Sequence, residues 1–117
     1  MALQTLPAAA MGFGTVKISG AGPLADSNLK ALIEAAAATQ QPDALISGLL
    51  DPRITGCNCR IVAATTFYWE NNGTVADATK MPGAVDDEII VPKNSKEALS
   101  RIRVFATGAY DLRVMLW

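Results

Sequence analysis

Histidine is missing altogether from the 117 residues, and cysteine occurs only twice. The first absence removes the Ser-His-Asp and Cys-His catalytic sets and the commonest zinc ligands together. The second leaves Cys57 and Cys59, in "CNC", without further thiols to complete a structural zinc site. A disulfide between residues two apart would strain an extended strand. Both are therefore expected as reduced, small hydrophobic side chains on the core face of a strand. Neither sign of charge is in excess: ten basic and eleven acidic residues give a net charge of −1. A nucleic-acid binder would show a basic surplus, and nothing electrostatic draws this chain to a membrane surface. No apolar run approaches the ~20 residues that span a bilayer. The start, "MALQTLPAAAMGFG", has neither a positive n-region nor a compact apolar core, so no secretion signal is expected, and synthesis in a reducing cytoplasm is. "GFG" and "GAG" lack the third glycine and the strand-to-helix setting of a phosphate cradle. Asp86, Asp87 and Glu88 form the only acidic cluster, without the spacing of a calcium loop. The expectation is a protein with no catalytic set, cofactor or metal.

What is present is β-rich. Half of the residues are hydrophobic but only 6% are aromatic, so Ala, Val, Leu and Ile must fill the interior of one domain spanning residues 1–117. Residues 1–12, with Pro7, read as an extended arm. "FGTVKIS" is a short strand with Val16 and Ile18 on one face. After the break "GAGPLADSN", Asp26 or Ser27 is the expected N-cap of an alanine-rich helix with Leu29, Leu32, Ile33 and Ala36 on one stripe. Lys30 and Glu34 are spaced as an i,i+4 pair. "ALISGLL" continues the helical segment, which covers residues 26–50. From Cys57 the texture changes, and residues 57–117 read as antiparallel strands. "CNCRIVAATTFYWE" is one long strand, "NNG" a hairpin turn, "TVADATK" the return strand, and "EIIVP" a short strand. The predicted fold is mainly β: an antiparallel β-sandwich or partly open barrel, with one N-terminal helix covering an end or edge.

The last stretch, "RIRVFATGAYDLRVMLW", reads as a closing hairpin. A three-residue loop at Gly108–Tyr110 pairs Ala106 with Leu112, Val104 with Val114, and Ile102 with Leu116, all apolar, and an even loop mixes the faces. The opposite face then carries Arg101, Arg103, Phe105, Arg113, Met115 and Trp117. Arginine, methionine and aromatics are enriched at protein interfaces, where lysine and glutamate are depleted. This face is expected to be covered, either by the helix of the same subunit or by a neighbour.

A second candidate surface is Tyr68 with Glu70, Asn71 and Asn72, where an aromatic ring beside polar side chains suits a glycan or another small ligand. The alternative there is ordinary core packing of "TFYW".

The chain as a whole resembles the small β-sandwich virion proteins of tailed bacteriophages: rich in Ala, Thr and Gly, free of histidine, built of short strands behind an extended arm. "DDEIIVPKNSKEALSRIRVFATGAYDLRVMLW" resembles the strand–turn–hairpin pieces of their capsid decoration and cement proteins. The resemblance implies a non-enzymatic structural protein of the virion. It would self-associate as a homo-oligomer and contact a major capsid or other virion protein, with the arm adding as a strand to a neighbour. Neither nucleic acid nor membrane is an expected partner.

Overall fold

In chain order, the computed structural model places β1 (Thr15–Gly20), β2 (Leu24–Asn28), α1 (Leu29–Gln40), a 3-10 turn (Pro42–Ala44), β3 (Leu45–Ile46) and β4 (Leu49–Leu50). These are followed by β5 (Cys57–Ala64), β6 (Phe67–Glu70), β7 (Met81–Gly83), β8 (Glu88–Val91), α2 (Lys96–Leu99), β9 (Arg103–Ala106) and β10 (Tyr110–Leu116). Residues 12–64 and 66–117 are described, so the expected arm lies, apart from Gly12, outside them.

Two four-stranded antiparallel sheets form, ordered β1-β10-β5-β8 and β2-β9-β6-β7, with β3–β4 as a separate small ribbon. Each strand of the first sheet is joined in sequence to the strand at the same position in the second. The pairing also carries through: Gly20 lies opposite Tyr110 in the first sheet, and Leu24 lies opposite Ala106 in the second, four residues away along both segments. Likewise Cys57 pairs with Leu116, and Glu70, at the far end of the same stretch, pairs with Arg103. The sandwich is thus one long four-stranded ribbon folded double along a crease. The crease runs through residues 21–23, Thr66, 84–87 and 107–109, and Thr107 N–H bonds Thr66 C=O across it at 3.2 Å. Gly22 and Pro23 suit the bend, because proline lacks the N–H that a continuous ladder would need. A bulge beside the crease, where Asp111 and Leu112 face Ala63 and Ile61, leaves Val62 as the extra residue and adds local twist.

Folding the ribbon double brings its apolar face against itself. Val16, Ile18, Cys57, Cys59, Ile61, Ile89, Leu112, Val114 and Leu116 from one sheet meet Phe67, Val104 and Ala106 from the other in one core. Each large aliphatic side chain buried this way contributes roughly 1.5–3 kcal/mol. Helix α1 packs Leu29, Ile33 and Ala37 into the β1/β2 side of the sandwich, as the expected helix over an edge. The Gln40 side chain accepts from Lys17 N–H at 2.7 Å and donates to Lys17 C=O at 2.9 Å, so it occupies backbone groups on the free edge of β1.

Several local expectations are corrected. The N-cap is Asn28, whose Oδ1 accepts from Ala31 N–H, and residues 24–28 before it are a strand. Residues 45–50 form a hairpin and not helix. Ser47 and Gly48 both have positive φ (53° and 81°), as a tight primed turn requires, which ends any helical continuation after Pro42. Glu34 is engaged by Leu50 N–H at 2.9 Å, tying the helix to that hairpin. The stretch 57–70 is bent at the crease into two strands. "TVADATK" is loop, and β6 pairs instead with Met81–Gly83. The closing "hairpin" is not one: β9 and β10 lie in different sheets and do not pair with each other.

Candidate functional site

That last correction divides the expected interface. Ile102, Val104, Ala106, Leu112, Val114 and Leu116 all face the core. The residues between them go to opposite outsides of the sandwich, with Arg103 and Phe105 on the outer side of the second sheet and Arg113 and Met115 on the outer side of the first. Two packed sheets stand ~10 Å apart, so these side chains do not form one surface. Arg101 precedes β9 and is exposed, its carbonyl accepting Gly73 N–H at 2.9 Å. Trp117 is only 8% exposed within the single subunit. Its carbonyl accepts from Thr55 and Gly56 N–H at 2.9 Å each, and its N–H donates to Gly56 C=O at 3.1 Å. The chain's own fold covers it, and no neighbour is needed for that.

The structure instead brings two separately predicted sets together on the outer face of the second sheet. Tyr68 is in register with Phe105, and Glu70 with Arg103. The Tyr68 and Phe105 rings lie 6.2 Å apart at 40°, within the range of favourable tilted aromatic pairs. Pro82 of β7 faces Tyr68 from the other side, so an aromatic and proline row crosses three strands. Beside it runs a row of alternating charge. Asp26 pairs with Arg103 through two hydrogen bonds, and Glu70 Oε2 lies 3.9 Å from Lys80 Nζ. The hydrogen bond from Arg103 holds the Asp26 carboxyl below its ordinary value of 3.8 against the opposing effect of burial, helped by the Ala76 amide and then by the Arg103 charge. These four charged side chains are 20–29% exposed, so the row is held in place but reachable.

At the Glu70 end of β6 and the Met81 end of β7 lies an open groove of about 490 Å³ that reaches both sides of the strands. Its apolar lining residues are Trp69 and Met81, paired in register on the core side of the strands with Trp69 packed partly against the core, and Pro82 on the outer side; its polar ones are Glu70, Asn71, Thr79 and Lys80. Asn71, Thr79 and Lys80, at the two ends of the 71–80 loop, border it, and that loop is tethered. Gly73 N–H bonds Arg101 C=O, and Ala76 N–H bonds Asp26 Oδ1 at 2.8 Å. Asn72 Oδ1 accepts from Thr74 N–H and Oγ1, and Asp77 Oδ1 accepts from Thr79 N–H and Oγ1. Of the predicted ligand set, Glu70 and Asn71 therefore line the groove, Tyr68 stands on the adjoining platform, and Asn72 is used in the turn that shapes the loop. Thr79, Lys80 and Met81 were not anticipated. Only the pairing of β6 with β7 places them there, and no spacing in the sequence signals it.

The outer face of the first sheet is different. Met115 (38% exposed) and Ile90 (57%) flank Asn58, and Arg60 lies within 4.0 Å of both Asp86 and Glu88. Asn58 Oδ1 and Arg60 Nε are covered without a hydrogen-bond partner. Asp87 serves its own loop by accepting Ala84 N–H. The acidic cluster is thus engaged with Arg60 and a turn. Cys57 and Cys59 are free and fully buried, and burial pushes both thiols up to about 12. Among the described residues, no helix is long and apolar enough to cross a membrane. Comparison with protein-family models, with characterised proteins and with solved structures finds no match to this chain.

Proposed function

We propose that this is a non-enzymatic assembly protein, which works by laying the outer face of its β2-β9-β6-β7 sheet against another protein surface. The setting that its sequence resemblance implies is a bacteriophage virion, with the protein decorating or cementing the capsid as a homo-oligomer in contact with a shell protein. One observation supports this reading above the others: Tyr68, Phe105 and Pro82 form a row beside the Asp26–Arg103 and Glu70–Lys80 pairs. Aromatic and arginine side chains held in fixed positions are what interface hot spots are made of. The ion pairs restrict their own side chains before any partner arrives, so less conformational entropy remains to be lost on docking.

The test is sedimentation of the full chain over a range of concentrations, alone and with Phe105→Glu. Self-association that Phe105→Glu abolishes, with the melting temperature of the subunit little changed, supports the reading. Met115→Glu, on the other outside, should leave association intact. A wild-type chain that stays monomeric throughout and binds no shell protein defeats it.

A second reading, a glycan- or ligand-binding module, is favoured by the groove at the end of β6 and β7, because polar and apolar residues converge there beside a tethered loop.

A further inference from the structure

We propose that the groove between the end of β6 and the 71–80 loop binds a neutral sugar ring. This rests on the second reading above, and it names the ligand class. The volume of about 490 Å³ falls within the ~300–1,000 Å³ of small-ligand clefts.

Charge decides against ions. The ionisable lining residues are Glu70 and Lys80, one of each sign, 3.9 Å apart. An anion drawn to Lys80 meets the Glu70 carboxylate, and a cation drawn to Glu70 meets the Lys80 ammonium. A hydroxyl suits both, since it donates to a carboxylate and accepts from an ammonium. The carboxylate is already oriented for this: Glu70 Oε1 accepts from Asn71 N–H at 2.8 Å, while Oε2 is near Lys80 but too far away for a hydrogen bond. The Asn71 side-chain amide adds a donor and an acceptor at the rim.

The apolar part completes the match. A pyranose presents hydroxyls around its edge and C–H groups on its faces. Met81, 59% exposed, and Pro82 give the C–H groups apolar contacts from the two sides of β7, and Trp69, in register with Met81 and packed partly against the core, backs the Met81 side. The bordering loop requires little ordering on binding, because Gly73, Ala76, Thr74 and Thr79 already hold it through the bonds described. An open groove with a few such bonds fits millimolar affinity.

The test is a titration of the isotope-labelled full chain, followed by amide NMR. The probes are methyl glucoside, methyl galactoside, methyl mannoside and N-acetylglucosamine, each taken to about 100 mM, two decades above a millimolar Kd. We expect at least one sugar to give saturable shifts at Asn71, Thr79, Lys80 and Met81 and at the Trp69 indole N–H. Glu70→Gln and Asn71→Ala should each weaken that binding roughly fivefold, the loss of about one hydrogen bond. Asn71 is exposed, so its variant keeps the fold in place. Inorganic phosphate or ammonium saturating the same signals, with no sugar doing so, overturns the sugar assignment and leaves a ligand-binding groove. No saturable shift with any probe overturns both. Sugar binding undiminished in the two variants also overturns the assignment.

Discussion

Replacing Gly56 with alanine should destabilise the subunit far more than one added methyl group suggests. A Cβ at this position would stand 2.3 Å from the Val91 carbonyl oxygen and 2.6 Å from that of Pro92. Even close C–H···O contacts keep carbon and oxygen about 3.3 Å apart, so the backbone must yield by roughly 1 Å. Both obstacles are main chain, and no rotamer change relieves them. Overpacking of this kind costs about 1–3 kcal/mol. The displacement also strains the junction through which Gly56 holds the end of β10, where its N–H and C=O bond Trp117 at 2.9 and 3.1 Å. Each hydrogen bond lost there adds about 0.5–1.5 kcal/mol. A total of about 2–4 kcal/mol follows, which for a domain of this size lowers the melting temperature by on the order of 10 °C. Gly22 is the control, since a Cβ there has nothing within 4 Å and its φ is not in the left-handed region. Gly22→Ala should stay within about 0.5–1 kcal/mol of wild type. Calorimetry of the two variants decides it. Equal melting temperatures for Gly56→Ala and Gly22→Ala would refute the reasoning, and Trp117 fluorescence unchanged in Gly56→Ala would weigh against the junction being disturbed.

Asp26→Ala should release the 71–80 loop, because one carboxylate holds both the Ala76 amide and Arg103. A loss of roughly 1–2 kcal/mol is expected, with faster hydrogen exchange at Ala76, and unchanged exchange there would count against the tether. Cys57 and Cys59 should resist thiol reagents in the folded protein at neutral pH and react fully once it is unfolded. Their raised values mean that folding stability from the buried thiols is present below the ordinary thiol value of 9.0 and is lost as pH rises from there toward about 12, which alkaline unfolding curves will show. Asp51 behaves in the opposite sense. Hydrogen bonding to Arg53, at 2.7 Å, brings its carboxyl from 3.8 down to about 2, so its contribution is present above 3.8 and lost as pH falls toward 2. Carboxyl NMR should find the Asp51 titration moved back up in Arg53→Met.

The inner face of this protein was legible in its sequence. Alternation in Val16–Ile18, Cys57–Ile61, Ile102–Ala106 and Leu112–Leu116 marks the core residues, because successive strand side chains must point to opposite sides. The helix over Leu29–Gln40 was legible in its apolar stripe, and the mainly antiparallel β-sandwich in the texture of the strands. Alternation says nothing, however, about what a chain does between two strands. A tight turn within one sheet and a bend from one sheet to the other leave the same residues inside, so Arg101–Trp117 reads identically either way. Only the tertiary structure chose the bend, through ladders that run on across the crease. That choice separated Arg113 and Met115 from Arg103 and Phe105, and it set Arg103 and Phe105 beside Glu70 and Tyr68. The pairing of β7 with β6, equally a matter of tertiary structure, brought Thr79, Lys80 and Met81 to the groove. Surface sites of this kind are made by strands far apart in sequence, and their pairing is decided by burying the apolar face of the whole ribbon at once.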